Sequence, residues 1–238
     1  MLVATVSGRR VEEDGDRPET PSEVAPEVGA RLGGTPCPRA GVGIGASAGG
    51  LAAIRTFVSP VPEDSGLAFV VVVHLSPEHE SHLADLLQPH VKIPVPRVTD
   101  TMKLEPDHVY VIPPAANLSA VDTHLRLSLL EESRRSRAPI DHFLRTLGAT
   151  HDGHAIGVIL TGTVSDGALG IRAIKENNGL TVAQDPADAE YDGMPRSAIA
   201  TGMVDLVLPV AAIPAALQRF ASTDPNVRIP RDGEEAGE

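Results

Sequence analysis

The sequence predicts an α/β domain built on a parallel sheet, and three observations predict it. Short aliphatic runs alternate with helical stretches from about residue 41 to residue 222, which is the order of elements in parallel α/β folds. The runs are continuously apolar rather than alternating, as strands covered on both faces are. They are also bounded by Gly, Pro or polar residues, so each reads as a short strand and not as part of a longer helix.

The expected strands are Gly41–Gly45, Leu67–Val73, Val109–Ile112, Ala155–Leu160, Leu180–Ala183 and Val204–Leu208. Between them Gly50–Val58, Ser81–Pro89, Ile140–Thr150, Gly167–Asn177 and Ile213–Phe220 carry apolar residues at helical spacing, and Asn178-Gly179 supplies a C-terminal stop for the fourth helix. A further turn leads into a helix beginning near Pro195. Leu118–Leu129 alternates around Asp122-Thr123 and reads as a hairpin on one edge of the sheet.

The chain has 238 residues, enough for one sizeable domain with ragged ends. Residues 1–39, rich in Glu, Pro, Gly and Arg, show no period of 2 or 3.6 and are expected to be a disordered arm; residues 223–238 are expected to be a disordered acidic tail around a domain spanning 40–222. Hydrophobic residues make up 42% of the chain, but Trp is absent and aromatics reach only 3%, so the core must be Val, Ile, Leu and Ala. The net charge of −12 is the wrong sign for a nucleic-acid face. A single cysteine, Cys37, makes no internal disulfide and fits a reducing, cytoplasmic setting. No apolar run approaches the roughly 20 residues of a membrane span, and the N-terminus has no signal-peptide core. Membrane insertion is therefore not expected.

Three chemically capable residues stand at three strand ends. Gly45-x-Ser47-x-Gly49 follows the first strand and opens the first helix, the pattern of a sharp turn that presents a serine hydroxyl above a sheet. Its plainer alternative is a glycine-rich turn with a capping serine. His74 directly follows the Val-rich second strand, and a histidine there suits proton transfer near neutrality, although a packed histidine is an alternative. Asp166 lies in Leu160-Thr161-Gly162-Thr163-Val164-Ser165-Asp166-Gly167, between a strand and a helix, where it either caps that helix or orients an imidazole. Ligands of open α/β sheets gather at the carboxyl ends of the strands. All three residues arrive at that edge, and together they read as a triad in the chain order Ser, His, Asp.

A rival pattern overlaps the first motif. Gly43-x-Gly45-x-x-Ala48 satisfies the dinucleotide fingerprint G-x-G-x-x-G/A. That reading wants an acidic residue at the end of the second strand, where the sequence has His74, while Glu63 and Asp64 precede the strand. Two histidine pairs, His79/His82 and His151/His154, lack a cysteine or third placed ligand, so no metal site is expected.

From about Gly41 to Phe220 the chain resembles the catalytic domain of chemotaxis protein-glutamate methylesterases, the CheB type. The segments GIGASAGG, VVVHLSPEHES, LEPDHVYVIPP, GVILTGTVSDGALG, AQDP and GMPRSAI carry the resemblance, in that order. It implies a three-layer α/β/α fold with a mostly parallel, doubly wound, Rossmann-like sheet. It also implies Ser47 as nucleophile, His74 as base and Asp166 as the residue orienting that base, with no cofactor. The implied reaction is hydrolysis of glutamate methyl esters on the cytoplasmic helices of chemoreceptors or a related methylated signalling protein, with glutamine deamidation in many members. Candidates for the oxyanion and substrate cleft are Ala48, Gly49, Thr163 and Arg196, with Tyr191-Asp192-Gly193-Met194-Pro195-Arg196 along one side. For Arg196 a surface ion pair is the alternative.

The sequence departs from the family's pattern in two places. Members usually carry an N-terminal receiver domain, which the arm ending near Arg39 is too short to form, so regulation by phosphorylation in cis is not expected. Many also have Thr after the serine and Met in the LTGMGxDG loop, where this chain has Ala48 and Thr163. In this respect it resembles most closely the methylesterase domains fused to methyltransferase and sensory modules. Other readings are a catalytically silent receptor-binding module of the same fold and a nucleotide-binding domain.

Overall fold

The structure is a computed structural model and describes residues 40–73, 82–114, 116–129, 138–151 and 153–223. Six strands, β1 (Ala40–Ala46), β2 (Leu67–Val73), β4 (His108–Val111), β7 (Ala155–Ile159), β8 (Leu180–Gln184) and β9 (Leu206–Leu208), form one sheet in the order β4-β2-β1-β7-β8-β9. All its pairings are parallel. The chain winds outward from β1 through β2 to β4, then returns to the other side of β1 and runs through β7 and β8 to β9. The switch point therefore lies between β1 and β7, where an open α/β sheet leaves a crevice at the carboxyl ends of its strands.

Alternate side chains of each central strand enter two separate apolar layers. On one face Val42, Ile44, Phe69, Val71, Ile156 and Val158 pack with α1 (Gly50–Val58), α2 (Leu83–Leu87) and α6 (Ile213–Thr223). On the other, Val70, Val72, Tyr110 and Ile159 meet α3 (Pro139–Thr150), α4 (Ala168–Glu176) and α5 (Gly193–Ile199). Full burial of such an aliphatic side chain contributes about 1.5–3 kcal/mol, so these layers supply most of the drive to fold. Among the described residues, no helix is long and apolar enough to cross a membrane.

The glycines of β1 set how closely α3 approaches. A Cβ on Gly43 would stand 2.5 Å from Leu144 Cδ2, and one on Gly45 would stand 2.4 Å from Ile140 Cγ2. Both glycines lie inside the strand, buried under α3. The G-x-G-x-x-A pattern is thus a packing stripe for a helix, as the missing acidic residue at the end of the second strand already argued against a dinucleotide site.

The hairpin is real but sits elsewhere. β5 (Ala116–Val121) and β6 (His124–Leu129) pair antiparallel around Asp122, whose φ of 50° suits a tight turn. They join β3 (Thr101–Lys103) in a separate three-stranded sheet, order β3-β6-β5, rather than an edge of the main sheet. The free edge of β5 is covered by α3: Thr146 Oγ1 accepts the N–H of Ala120 at 3.0 Å, and Thr150 Oγ1 donates to its carbonyl at 3.1 Å. An edge satisfied in this way does not seek another strand.

Candidate active site

Ser47 is the first residue past β1, and the β1–β7 ladder continues through it. Its N–H donates to the carbonyl of Thr161 at 3.0 Å, and its own carbonyl receives the N–H of Gly50 at 2.8 Å as the chain turns into α1. That turn needs Gly49, which caps α1 at a φ of 74°, a left-handed conformation that costs other residues about 1 kcal/mol or more. Gly49 has no side chain with which to cap α1, and the first turn carries no acidic residue. The positive end of the helix consequently opens onto Ser47. Ser47, Gly49, Gly50, Leu51, Ala52 and Arg55 line an open depression of about 440 Å³ there. Glu190 leans over Gly49 from the facing loop, within 2.8 Å of where a Cβ would stand.

Thr161 is the hub of the opposite wall. Buried to 1% exposure, it donates its N–H to Gln184 Oε1 at 2.9 Å, while its hydroxyl accepts the N–H of Tyr191 at 2.8 Å and lies 3.1 Å from the carbonyls of Ala48 and Tyr191. Gln184 is in turn held by Asp188, whose Oδ2 also accepts the N–H of Val210. Gly162 is required for contact: a Cβ there would strike Met194 Sδ and stand 3.0 Å from Ser47 Cβ. A chain of buried amides and hydroxyls thus fixes the serine turn against the end of β7.

Asp166 belongs to the same sheet edge, since β1 and β7 are parallel neighbours and it follows β7. It is 6% exposed, and both its oxygens accept backbone N–H groups at the start of α3: Oδ2 from Ile140 at 3.0 Å and Oδ1 from Asp141 at 2.8 Å. Sequence reasoning offered it as a cap for the helix that follows it. It instead caps α3, while α4 is served by Asp141, whose Oδ1 accepts from Gly167 and Gly170. His74 lies outside the described residues.

Of the cleft candidates, Ala48 and Gly49 form the serine turn itself. Thr163 is exposed on the loop before Asp166, and a Cβ on Gly193 would stand 2.9 Å from its carbonyl oxygen, so this loop packs tightly on the start of α5. Arg196 pairs through Nε with Asp192 Oδ2 one turn away on the surface, which is the ion-pair alternative. The histidines bear no ligand-like arrangement where they are described: His82 pairs with Asp85, and His151 is buried at the end of α3 with Nδ1 against the carbonyl of Leu147. Its burial pushes its pKa down.

Of the apolar rim, sequence reasoning named Tyr191 and missed Leu51, Val164 and Leu169. Leu51, Val164, Leu169 and Tyr191 are 46%, 44%, 61% and 42% exposed, on segments that flank Ser47 and Asp166. It also passed over Asp141, although Pro139-Ile140-Asp141 is a recognisable helix start with an acid in the first turn. A larger cavity of about 520 Å³, lined by Gln88, Lys103, Glu105, His108 and Tyr110 among others, lies at the opposite end of β4. Its Gln88 and Tyr110 are spent on internal bonds to Ile93, Val95, Lys103 and Glu105.

The family model for CheB methylesterase matches residues 42–217. An uncharacterized 104.1-kDa protein of Rhodobacter capsulatus is 44% identical over 131 residues, which are 55% of this chain and 14% of that protein. A protein-glutamate methylesterase/protein-glutamine glutaminase of Bordetella parapertussis is 35% identical over 181 residues, covering 71% of this chain and 50% of the relative. This chain therefore spans only part of the length of both relatives. The crystal structure of the Thermotoga maritima CheB methylesterase catalytic domain superposes with a TM-score of 0.69 at 28% identity, over 76% of this chain and 98% of the other. The chain belongs to the CheB methylesterase family.

Proposed function

We infer that the protein hydrolyses methyl esters of glutamate side chains on a methylated signalling protein, with Ser47 as nucleophile, His74 as base and Asp166 orienting that base. The observation that carries the reading is the placement of Ser47 at the uncapped start of α1, directly beside the β1–β7 switch point. Ser47 Oγ attacks the ester carbonyl while its proton passes to His74. The tetrahedral oxyanion is stabilised by backbone N–H groups; Gly50 and Gly162 donate to Ser47 and Tyr191, so the donors proposed are Ala48, Gly49 and Thr163. Methanol departs with the proton from His74, and water then cleaves the acyl-enzyme. With a glutamine side chain the same steps release ammonia, which matches the second activity in the name of the Bordetella relative.

The apolar rim of Leu51, Val164, Leu169 and Tyr191 favours a protein surface as substrate, since exposed apolar patches mark interaction sites. A chemoreceptor cytoplasmic helix, in a cytoplasmic setting, is the partner proposed. The test is methanol release from a methylated chemoreceptor cytoplasmic fragment, with Ser47→Ala as control. Release that depends on Ser47 supports the esterase, whereas fragment binding without Ser47-dependent turnover would make the domain a silent binding module.

A further inference from the structure

Asp141 is a second buried carboxylate at this sheet edge, and no step of the mechanism uses it. It stands third in α3 and is 9% exposed. Its Oδ1 accepts the N–H of Gly167 at 2.9 Å and that of Gly170 at 2.7 Å. Asp166, immediately before Gly167, answers with its own oxygens on the N–H groups of Ile140 and Asp141. Each carboxylate therefore seats on the first turn of the other's helix, and four hydrogen bonds close a ring through two helix starts. Gly170 lets the helices draw this close, because a Cβ there would stand 2.6 Å from Leu144 Cβ.

Such a ring is not needed merely to start a helix. A serine or asparagine caps as well as an aspartate does, without bringing two buried like charges together. Burial is the main reason that the Asp141 carboxyl is pushed above its usual range; the N–H groups of Gly170, Gly167 and Leu169 oppose the rise, and the neighbouring Asp166 charge adds to it. The benefit falls on Asp166. Both of its oxygens are pinned by backbone N–H groups of α3, and rotating the carboxylate would break these charge-assisted hydrogen bonds.

On the reading that Asp166 orients His74, we propose that Asp141 is a positioning residue for Asp166: it holds the N–H of Gly167 and so fixes the backbone and carboxylate plane of its neighbour. It touches neither substrate nor reacting atoms. Its effect on the reaction passes entirely through Asp166.

The test uses a fluorophosphonate probe on the full chain. Attack by Ser47 Oγ forms an O–P bond and expels fluoride, so the labelling rate reads serine activation without requiring the natural substrate. Asp141→Ala is expected to slow labelling of folded protein by about tenfold to a hundredfold, the scale of a small misplacement in an active site. In an Asp166→Ala background the same substitution should cause no further loss, because coupled residues are not additive. A purely structural Asp141 gives a lower Tm with an equal factor in both backgrounds, or no factor in either, and overturns the proposal. Asp141→Asn, which keeps an acceptor oxygen in place, is expected to recover most of the rate, while Asp141→Glu, which keeps the charge but moves the oxygen, is expected to remain slow. If Asp141→Ala does not fold, this pair decides: Glu labelling as fast as Asn overturns positioning. Absence of labelling at Ser47 in the wild type overturns the proposal together with the esterase reading beneath it, a result distinct from a labelled wild type matched by its Asp141 variants.

Discussion

Two strand-to-helix turns flank the switch point, and both begin their helix with a glycine in the left-handed region, Gly49 at a φ of 74° and Gly167 at 101°. Neither glycine has a side chain with which to cap the helix. The turns differ in what meets the first N–H groups. At α4 the Asp141 carboxylate takes them in a buried setting. At α1 no side chain caps the helix: the Ser47 carbonyl takes the N–H of Gly50, and the turn opens onto a depression lined by Ser47. The comparison teaches that a helix start becomes a reactive site when its donors are left for an incoming oxygen, and a structural joint when the protein supplies that oxygen itself.

The largest effect expected from breaking this division is at Asp166. Asp166→Ala should lower esterase turnover by about three to four orders of magnitude, as loss of a triad member does, while binding of a receptor fragment persists. Next comes the buried joint: a Cβ on Gly167 would meet Ile159 Cδ1 at 2.4 Å in addition to the strained φ, so Gly167→Ala should lower stability by about 2–4 kcal/mol in denaturant unfolding. Gly49→Ala carries a similar backbone strain, but its new methyl meets the flexible, exposed Glu190. It should cost only about 1 kcal/mol, with the larger loss in turnover. Reversal of the order of these two glycine variants in unfolding would break the comparison.

A pH measurement sharpens it further. Asp141, raised above its unfolded value of about 3.9 by burial first, holds its proton more tightly folded than unfolded. Its contribution therefore falls as pH rises from about 4 through the folded pKa. Asp141→Asn removes that slope, so the variant should gain on the wild type in unfolding free energy between pH 4 and pH 7. The smallest effect is at Arg196, whose exposed pair with Asp192 predicts less than about 0.5 kcal/mol in stability for Arg196→Ala.

Much of this was legible in the sequence because the signals were local. Leu67–Val73 and Gly50–Val58 have the bounds their apolar run and glycine punctuation imply. The hairpin was visible, but its sheet was not, since pairing with Thr101–Lys103 joins residues more than twenty apart through a strand with one apolar residue. The stripe Gly43/Gly45 offered a rival pattern for a related reason. Small residues in a strand look alike whether a phosphate or a helix comes close, and only Leu144 and Ile140 in place tell which. Ser47 and Asp166 could be found from motif and position, whereas the exchange between Asp141 and Asp166 spans 25 residues and exists only once α3 and α4 pack.

The most direct test of the account is methanol release from a methylated chemoreceptor cytoplasmic fragment by the wild-type protein and by Ser47→Ala. Steady release by the wild type and a loss of several orders of magnitude in the variant are expected. Equal release by both proteins would contradict the account, because the serine at the open start of α1 would then not be the nucleophile.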